Sequence, residues 1–440
     1  MKHILLLGAG KSATVLIRYL QQLAIEKHWR ITIADGNLAA LRAKVAEHPL
    51  VSTVELQIEN AAGRKALIAE ADIVISMMPP ALHEWVALDC LALHKHLLTA
   101  SYVSEAIKAL SKEIADKQLL FLCEMGLDPG IDHMSAMQLI ARIRAEGGTI
   151  TAFRSHCGGL VAPESDDNPW HYKISWNPRN VVTAGKAGAV FKENGAISNV
   201  TYPNLFNTNH IVEAGDTSYA WYPNRDSLGY IPLYQLEEAQ TFIRTTLRHP
   251  AFCAGWKQLV DLQLTDESYL YQTDGVSYAA FFEQHFATHQ LTSRVNEALA
   301  NDALREQLLF LGLQDNASFI NRGQCSCADI LQQLLETKLV LHPTDKDMIV
   351  MLHELSYTIH EQSFLVKSLL EVKGEDHLQT AMAKTVGLPL GIAARLILED
   401  RITVRGLHLP LIPAIYTPGL QELNYYGIVF RETTTAAGVL

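Results

Sequence analysis

Short apolar strands and amphipathic helices alternate through the first third of the chain, and no other feature constrains the fold as strongly. The predicted strands are His3–Leu7, Trp29–Asp35, Val54–Ile58, Ile73–Met77, Leu97–Ser101 and Leu119–Cys123. The predicted helices between them are Ser12–Glu26, Leu38–Glu47, Arg64–Ala69, His83–Leu93 and Glu105–Asp116. Because right-handed crossovers join the strands of such a series, we predict an α/β fold with a doubly wound parallel sheet.

A glycine-rich turn lies between the first strand and the first helix. It reads Gly8-Ala9-Gly10-Lys11-Ser12-Ala13, the G-x-G-x-x-G/A pattern of dinucleotide-binding Rossmann folds. Gly8 would permit the tight turn, Gly10 the close approach of a pyrophosphate, and Ala13 the packing of helix on strand. The helix N-terminus would offer free N–H groups to the phosphates. We therefore predict that a nicotinamide cofactor is bound by Gly8, Gly10, Lys11, Ser12 and Ala13.

An acidic residue, Asp35, ends the second predicted strand. A carboxylate at this point can accept both ribose hydroxyls of NAD and would repel the 2′-phosphate of NADP. We predict NAD as the cofactor, with NADP possible but disfavoured; the alternative is that Asp35 only caps the next helix. Met78 and Pro79 follow the fourth strand and are assigned to the same crevice, although they could equally form a plain strand-to-helix turn.

The periodicity changes after Cys123, and this change divides the chain into domains. We predict a Rossmann domain over residues 1–125, completed by a helix over 378–405. Residues 126–233, 341–377 and 406–440 are predicted to form a mixed α+β domain for substrate binding and dimerisation. The polar–apolar pattern of residues 234–340 predicts a helical insert.

Charge and cysteine content disfavour several classes of protein. Lys and Arg number 36 and Asp and Glu number 47, so the formal net charge of −11 disfavours nucleic-acid and anionic-membrane binding. Six scattered cysteines argue against a disulfide framework, and Cys325-Ser-Cys327 lacks the spacing of a zinc site, so no metal is predicted. Without a cleavage signal or an apolar run near ~18 residues, we expect a cytoplasmic protein.

Residues 157–178, CGGLVAPESDDNPWHYKISWNP, fit no regular element over most of their length. Glycines and prolines interrupt any long helix or strand, whereas the aromatic side chains argue against disorder. Long irregular segments in compact domains are often binding or catalytic loops. We predict that this segment forms part of a site for a small molecule.

Four motifs, in this order, make the chain resemble one enzyme family. They are GLDPGIDHMSAM (126–137), the 157–178 segment, YPNRDS (222–227) and AMAKTVGLPLGIA (381–393). From Met1 to about residue 405 the chain resembles the saccharopine dehydrogenases, specifically the L-glutamate-forming branch, also called saccharopine reductases. The resemblance implies an amino-acid substrate, saccharopine, whose secondary amine is oxidised by a nicotinamide cofactor to an imine. Water then hydrolyses the imine to L-glutamate and 2-aminoadipate 6-semialdehyde.

The resemblance implies three catalytic positions, Tyr102, Asp128 and Cys157, without identifying the general base. Each has a structural alternative. Tyr102 would be a core tyrosine, Asp128 a helix cap, and Cys157 a small buried side chain.

Saccharopine carries three carboxylates, so cationic and polar groups are expected around it. We assign four residues to substrate binding: Ser101, Lys173, Ser175 and Arg225. Further candidates are Arg179, beside the same segment, and His133 and His171 for proton handling. Trp170-His171 replace a smaller pair found in many relatives, so these side chains are expected to reshape the pocket.

Two other functions stay open at the level of sequence. One is an imine reductase of polyamine synthesis like carboxynorspermidine dehydrogenase, whose cationic substrate would require acidic groups where Arg225 and Lys173 stand. The other is a non-catalytic nicotinamide-sensing protein. Within the family, Asp35 differs from fungal members, which favour NADP, and agrees with NAD-using relatives such as the dehydrogenase half of the animal bifunctional enzyme. The family also implies a homodimer.

Overall fold

A computed structural model describes residues 1–206 and 210–437. Its strands, in chain order, are β1 (His3–Leu7), β2 (Arg30–Asp35), β3 (Val51–Glu55), β4 (Ile73–Ser76), β5 (His96–Thr99), β6 (Leu120–Leu122), β7 (Thr149–Val161), β8 (Ala189–Glu193), β9 (Ala196–Val200), β10 (Ile211–Ala214), β11 (Thr217–Pro223), β12 (Arg225–Asp226), β13 (Thr241–Arg248), β14 (Leu270–Gln272), β15 (Gln324–Ser326), β16 (Asp347–Ile359), β17 (Gln362–Lys373), β18 (Gly406–His408) and β19 (Arg431–Ala437).

The helices surround two large sheets. In chain order they are α1 (Thr14–Lys27), α2 (Leu38–Arg42), α3 (Ala61–Glu70), α4 (His83–Ala92), α5 (Glu105–Ala109), α6 (Ser111–Asp116), α7 (Ile131–Ala145), α8 (Pro178–Val182), α9 (Tyr202–Leu205), α10 (Ile231–Tyr234), α11 (Pro250–Asp261), α12 (Tyr278–Thr288), α13 (Thr292–Ala300), α14 (Asp302–Phe310), α15 (Cys327–Lys338), α16 (Ala381–Leu398) and α17 (Pro413–Tyr425).

The first sheet is parallel throughout and has the strand order β18-β6-β5-β4-β1-β2-β3. The chain leaves β1 for β2 on one side and returns to β4 on the other, so the strand order reverses between β1 and β4. The predicted doubly wound Rossmann sheet is thereby confirmed. The third strand spans Val51–Glu55, earlier in the chain than predicted.

The position of β18, the seventh strand of the first sheet, contradicts one predicted domain boundary. Residues 406–440 were assigned to the second domain, yet Gly406–His408 pair with Leu120–Leu122 at the edge of the first sheet. Ahead of this strand, α16 packs against α1 with little space: a Cβ at Gly387 would lie 2.9 Å from the Leu16 Cβ. The chain therefore returns to the first sheet after crossing the second.

The second sheet is mixed, with the main strand order β10-β11-β13-β7-β16-β17-β19. The prediction that residues 234–340 form a helical insert is wrong at β13. Thr241–Arg248 is a strand in the middle of this sheet, parallel to β7. Five of its eight residues are β-branched or aromatic, a composition that favours strand over helix. The surrounding helical pattern obscured that signal.

The remaining helices of the insert form a third lobe with its own core. Helices α11 to α15 enclose a two-stranded sheet of β14 and β15. Trp170 is fully buried there against Phe252 and Trp256, so it is a core residue, in contrast to the predicted reshaping of a pocket. Residues 157–161 belong to β7, and the irregular part of the 157–178 segment begins only after Val161.

One helix in the described part of the chain, α16, is long and apolar enough to cross a membrane by length and composition alone. Within the fold, 78% of that stretch is buried. Its apolar side chains are therefore accounted for by packing inside the protein.

Candidate active site

The glycine-rich turn sits where the strand order of the first sheet reverses. The Gly8 amide donates to the Ala34 carbonyl, and a Cβ on Gly8 would lie 3.0 Å from the Met77 backbone and 3.2 Å from the Met78 sulfur. Gly8 has a φ of 94°, which favours glycine. Crevices at such a reversal are where open α/β sheets bind ligands.

Gly10 differs from Gly8 in having open space beside it. A Cβ on Gly10 would meet no described atom within 4 Å. The turn Lys11–Ala13 then leads into α1, whose first amides point along the helix axis toward this space. Backbone that is open and rich in N–H donors at a helix N-terminus fits a dinucleotide pyrophosphate.

We expect Gly10→Val to weaken cofactor binding without changing the fold. The added side chain would enter the space left for the phosphates, its Cβ would meet no described atom within 4 Å, and Gly10 has an ordinary φ of −63°. The Michaelis constant for the cofactor should rise at least tenfold, with a thermal midpoint within about 2 °C of wild type. Ala300→Val, at an exposed position of α13 in the third lobe, is the control for cofactor affinity.

Asp35 is fixed beside this turn by two backbone amides. Its Oδ2 accepts from the Ala9 amide at 2.7 Å and its Oδ1 from the Asn37 amide at 2.9 Å. Asn37, and not Asp35, caps helix α2. Lys44 lies on the same side, and its ammonium donates to the carbonyls of Ala9 and Gly10. A carboxylate and a cation therefore flank the outer side of the turn.

A buried cluster of ionisable groups lies beyond the carboxyl ends of β5 and β6, where the two large sheets face each other. Arg244, on β13, donates through one nitrogen, Nη2, to Asp128 Oδ1 at 2.6 Å and to Asp132 Oδ2 at 2.7 Å. The same nitrogen is 3.4 Å from the Tyr102 hydroxyl, which lies 3.5 Å from Asp128 Oδ1. We call these four residues, Tyr102, Asp128, Asp132 and Arg244, the arginine cluster.

The backbone around Asp128 is held by a glycine turn. Gly130 has a φ of 146°, and a Cβ there would lie 2.1 Å from the Gly126 carbonyl oxygen. The Gly130 amide donates to Asp132 Oδ1 at 2.6 Å. Only glycine fits this turn, which brings Asp128 and the start of α7 to the same guanidinium.

The pKa values of the two aspartates of the arginine cluster shift in opposite directions. Burial raises the pKa of Asp128 to about 6, against the lowering effect of Arg244, and the negative charge of Asp132 adds to the increase. Burial also acts to raise the pKa of Asp132, but His133 and Arg244 outweigh it and the net shift is downward. Asp128 can therefore exchange a proton near neutral pH while Asp132 stays ionised.

A second layer of hydrogen bonds supports the arginine cluster. Glu124, in a left-handed conformation with a φ of 58°, accepts from the Tyr230 hydroxyl and interacts with His133 Nε2, both at 2.9 Å. The guanidinium of Arg244 lies 4.5 Å above the Tyr230 ring. A strained backbone position with a fully bonded buried carboxylate is typical of a functional site.

Cys157 lies on the same face of the second sheet as the arginine cluster. It pairs with Thr246, two residues along β13 from Arg244. Burial, followed by the charges of Asp128 and Asp132, holds the pKa of its thiol well above the usual value. The thiol is therefore protonated at neutral pH, and its predicted catalytic role does not extend to a thiolate.

Comparison with known proteins identifies the family to which this arrangement belongs. The family model described as the saccharopine dehydrogenase NADP binding domain matches residues 4–122, and the one described as the saccharopine dehydrogenase C-terminal domain matches residues 126–428. The chain belongs to the saccharopine dehydrogenase family. The resemblance drawn from the four sequence motifs is thus confirmed.

Individual members of the saccharopine dehydrogenase family match over their whole length. Saccharopine dehydrogenase (NADP(+), L-glutamate-forming) of Pyricularia oryzae is 31% identical, with 99% of each chain covered. The enzyme of the same name from Saccharomyces cerevisiae is 32% identical over 99% of this chain and 100% of its own. The solved apo structure of the histidine-tagged yeast enzyme (L-Glu forming) superposes with a TM-score of 0.87, at 30% identity over 99% of this chain.

Among the residues predicted from resemblance to saccharopine dehydrogenases, the structure brings Tyr102 and Asp128 together and places Cys157 beside them. Arg225, predicted to bind substrate, lies at the rim, exposed, with its guanidinium 5.1 Å above the Tyr102 ring. Ser101 is adjacent, but its hydroxyl lies 2.8 Å from His83 Nε2. Met78 packs beside Gly8, and Pro79 begins the following turn.

The other predicted substrate residues are engaged elsewhere. Lys173 is buried and forms ion pairs with Asp167 at 2.9 Å and Asp345 at 2.7 Å. Ser175 bonds the Asp347 carboxylate, which caps α16. These contacts explain both side chains as structural, and their substrate role stays a prediction without support from geometry.

Two further candidates, Arg179 and His171, also lie away from the arginine cluster. Arg179 pairs with Asp329 and Glu267, and His171 stacks on His249 at 3.9 Å.

Sequence reasoning missed Arg244, Asp132, Glu124 and Tyr230. Asp132 follows Asp128 by four residues in the GLDPGID motif, so its proximity was available from the sequence. Arg244 was hidden because Thr241–Arg248 was assigned to a helix. Had β13 been recognised as a strand, the alternation of Arg244 and Arg248 on one face would have indicated a cationic surface.

Proposed function

We propose that this protein is an L-glutamate-forming saccharopine dehydrogenase. The observation that carries the proposal is the arginine cluster. In it Asp128, a buried carboxyl whose pKa is about 6, lies beside the ionised Asp132 and Arg244. The cluster follows the carboxyl ends of β5 and β6, on the same edge of the first sheet as the glycine-rich turn. Full-length similarity to enzymes named for this reaction supports it. Oxidising an amine requires the removal of a proton from nitrogen and a hydride from carbon, and this arrangement provides for both.

The residues around Gly8 and Gly10 would hold the cofactor, which supplies the hydride acceptor when bound. In the oxidative direction, saccharopine loses a hydride from the carbon that becomes the aldehyde and a proton from the secondary nitrogen. Water then adds across the resulting C=N bond. Cleavage of the C–N bond gives the amine of glutamate and 2-aminoadipate 6-semialdehyde.

In this scheme Asp128 is the general base. As a carboxylate it accepts the proton from the secondary ammonium, and it assists the attacking water in the same way. Arg244 holds Asp128 and Asp132 in place and balances their charge. The Tyr102 hydroxyl, whose pKa is raised by burial, stays protonated and acts as a hydrogen-bond donor at the same point.

The test is absorbance at 340 nm with purified protein, saccharopine and either NAD or NADP between pH 7 and 10. Formation of reduced cofactor together with equimolar L-glutamate supports the function. Absence of reduced cofactor under all these conditions would refute it. Turnover of a carboxynorspermidine imine in place of saccharopine would favour the alternative reductase.

We also propose that NAD is preferred over NADP, although the two relatives above are named for NADP(+). The support is the position of Asp35, whose carboxylate is fixed beside the glycine-rich turn by the Ala9 and Asn37 amides, where it would meet a ribose. We expect Asp35→Ser to raise the Michaelis constant for NAD about tenfold and to lower that for NADP. Equal changes for both cofactors would contradict the ribose role. Lys44→Gln is the companion variant: a larger loss for NADP than for NAD would assign the phosphate to that lysine.

A homodimer and a cytoplasmic location stay predictions. Strand β19 ends the main path of the second sheet, so its outer backbone groups are available to pair with the same strand of a second copy.

A further inference from the structure

A buried histidine, His83, joins the ends of two neighbouring strands of the first sheet. It is the first residue of α4 and is 4% exposed. Its Nδ1 lies 2.8 Å from the hydroxyl of Ser76, the last residue of β4. Its Nε2 lies 2.8 Å from the hydroxyl of Ser101, two residues beyond the end of β5. We call these three hydrogen-bonded residues, Ser76, His83 and Ser101, the His83 network.

The His83 network lies between the glycine-rich turn and the arginine cluster. Two residues beyond Ser76, the side chain of Met78 packs beside Gly8. At the other end, Ser101 directly precedes Tyr102, a member of the arginine cluster. Ser101 is partly exposed, whereas Ser76 is fully buried. The enclosed ring of His83 can therefore affect a bound ligand only through the Ser101 hydroxyl.

The ring of His83 is neutral near pH 7. Burial lowers the pKa of His83 to about 4, and the positive end of the helix dipole at the start of α4 also disfavours a charged ring. A neutral imidazole has one nitrogen that donates a hydrogen bond and one that accepts. One of the two serine hydroxyls must therefore donate to the ring, and the other must accept from it.

The buried end of the His83 network determines which serine donates. Ser76 is 0% exposed, and its hydroxyl has no hydrogen-bond partner except Nδ1 among the residues the structure describes. A buried O–H without an acceptor is costly, so Ser76 donates to Nδ1. Nε2 then carries the proton and donates to Ser101, with the Thr99 hydroxyl 3.3 Å from the same nitrogen. The hydrogen of the Ser101 hydroxyl remains available to a ligand.

We propose that His83 is a positioning residue that makes the Ser101 hydroxyl a hydrogen-bond donor to an oxygen of a bound ligand. The inference rests on the proposed function, in which that oxygen belongs to a carboxylate of the amine substrate or to the carboxamide of the nicotinamide. With the opposite tautomer, Ser101 would direct its hydrogen to Nε2 and would have none to donate to a ligand. The tautomer of a side chain that touches no ligand thus determines what the crevice can recognise.

The test compares His83→Gln and His83→Leu with wild type. The glutamine amide nitrogen can take the place of Nε2 and donate to Ser101, so both Michaelis constants should stay within threefold of wild type. Leucine cannot donate, and the constant for saccharopine or for the cofactor should rise about tenfold, the scale of one hydrogen bond. The constant that rises identifies the ligand that supplies the oxygen. Equal effects of glutamine and leucine would contradict the proposal.

The matched control is His96→Leu. His96 is the first residue of β5, at the opposite end of the strand from Ser101, and its ring accepts from the Leu120 amide at 3.0 Å. The substitution removes a histidine hydrogen bond from the same sheet, far from the crevice. Both Michaelis constants should stay unchanged in His96→Leu.

A double-variant cycle separates an effect through Ser101 from a general effect on the fold. Ser101→Ala should raise the same constant as His83→Leu, also about tenfold. The double variant His83→Leu/Ser101→Ala should again show about a tenfold rise, because both substitutions remove one and the same hydrogen bond. A rise of about 100-fold in the double variant would overturn the proposal, as would His83→Leu constants that both stay within threefold of wild type.

Nitrogen NMR of histidine-labelled wild type tests the tautomer without depending on any variant's activity. The His83 signals, assigned by their absence from His83→Gln, should show a neutral ring protonated at Nε2 at pH 7. A ring protonated at Nδ1 would overturn the proposal. If wild type does not turn saccharopine over, the proposed function fails, while the NMR result and the dissociation constants for cofactor and saccharopine still test His83.

Discussion

Replacing Arg244 with methionine should both destabilise the protein and abolish most of its activity. The substitution would remove the guanidinium that pairs with both Asp128 and Asp132 and leave the two carboxyls buried together. Removing one partner of a buried ion pair costs about 3–5 kcal/mol in the free energy of unfolding, because the remaining charge is left in a low-dielectric environment. We expect kcat/KM for saccharopine to fall at least about 1,000-fold, since the base loses both its position and its charge balance. Urea unfolding and steady-state kinetics measure the two effects.

Two comparisons make this prediction specific. Arg142→Met removes an exposed pair with Glu432 and should cost about 1 kcal/mol or less. The double variant Arg244→Met/Asp132→Asn should recover part of the lost stability, because it removes one of the two uncompensated charges. A stability loss no greater than that of Arg142→Met would show that the arginine cluster does not stabilise the fold.

Replacing Asp128 with asparagine should remove most of the activity with little loss of stability. Asparagine keeps the shape and one acceptor oxygen but cannot take a proton, and general-base catalysis is worth roughly 100- to 10,000-fold in rate. Burial raises the pKa of Asp128 to about 6, because a negative charge at this buried site is unfavourable. Replacement by a neutral amide therefore removes an unfavourable charge as well as a contact. We expect kcat for saccharopine oxidation to fall within that range and the cofactor constant to change less than threefold.

The pH profile gives the sign of the Asp128 effect. The pKa of Asp128 is about 6, so the carboxylate that accepts a proton predominates above pH 6 and is lost below it. In the oxidative direction kcat/KM of wild type should therefore fall as pH drops through about 6, and this acid limb should be absent from Asp128→Asn. Asp116→Asn, at the exposed end of α6, should keep the wild-type profile. An unchanged acid limb in Asp128→Asn would assign the base to another residue.

The local part of the fold and site could be read from the sequence because its signals are local. The turn at Gly8 and Gly10 follows a strand directly, and Asp35 ends the next strand, so a single stretch of chain places all three. The motif around Asp128 includes the glycine turn that orients it. Periodicity and turn chemistry act over a few residues, and here they specified the Rossmann sheet and one wall of the site.

The sequence-based predictions that were wrong concern residues whose role depends on contacts between distant parts of the chain. Arg244 meets Asp128 across 116 positions of sequence, and Lys173 meets Asp345 across 172. A lysine in an aromatic loop indicates an anion binder until a carboxylate from a distant part of the chain, here Asp345, is placed against it. In the same way, Thr241–Arg248 is a strand because β7 and β11 pair with it on both sides.

The sequence by itself therefore determined the doubly wound first sheet, the nicotinamide turn, the family and the position of Asp128 and Tyr102. Only the tertiary structure decided which charges neutralise each other: Lys173 is paired, Arg244 is shared by two aspartates, and Arg248 has no carboxylate partner among the described residues and donates to backbone carbonyls. The physical reason is that charge compensation in a buried site acts through space over a few ångströms, whereas the patterns of a sequence act along the chain.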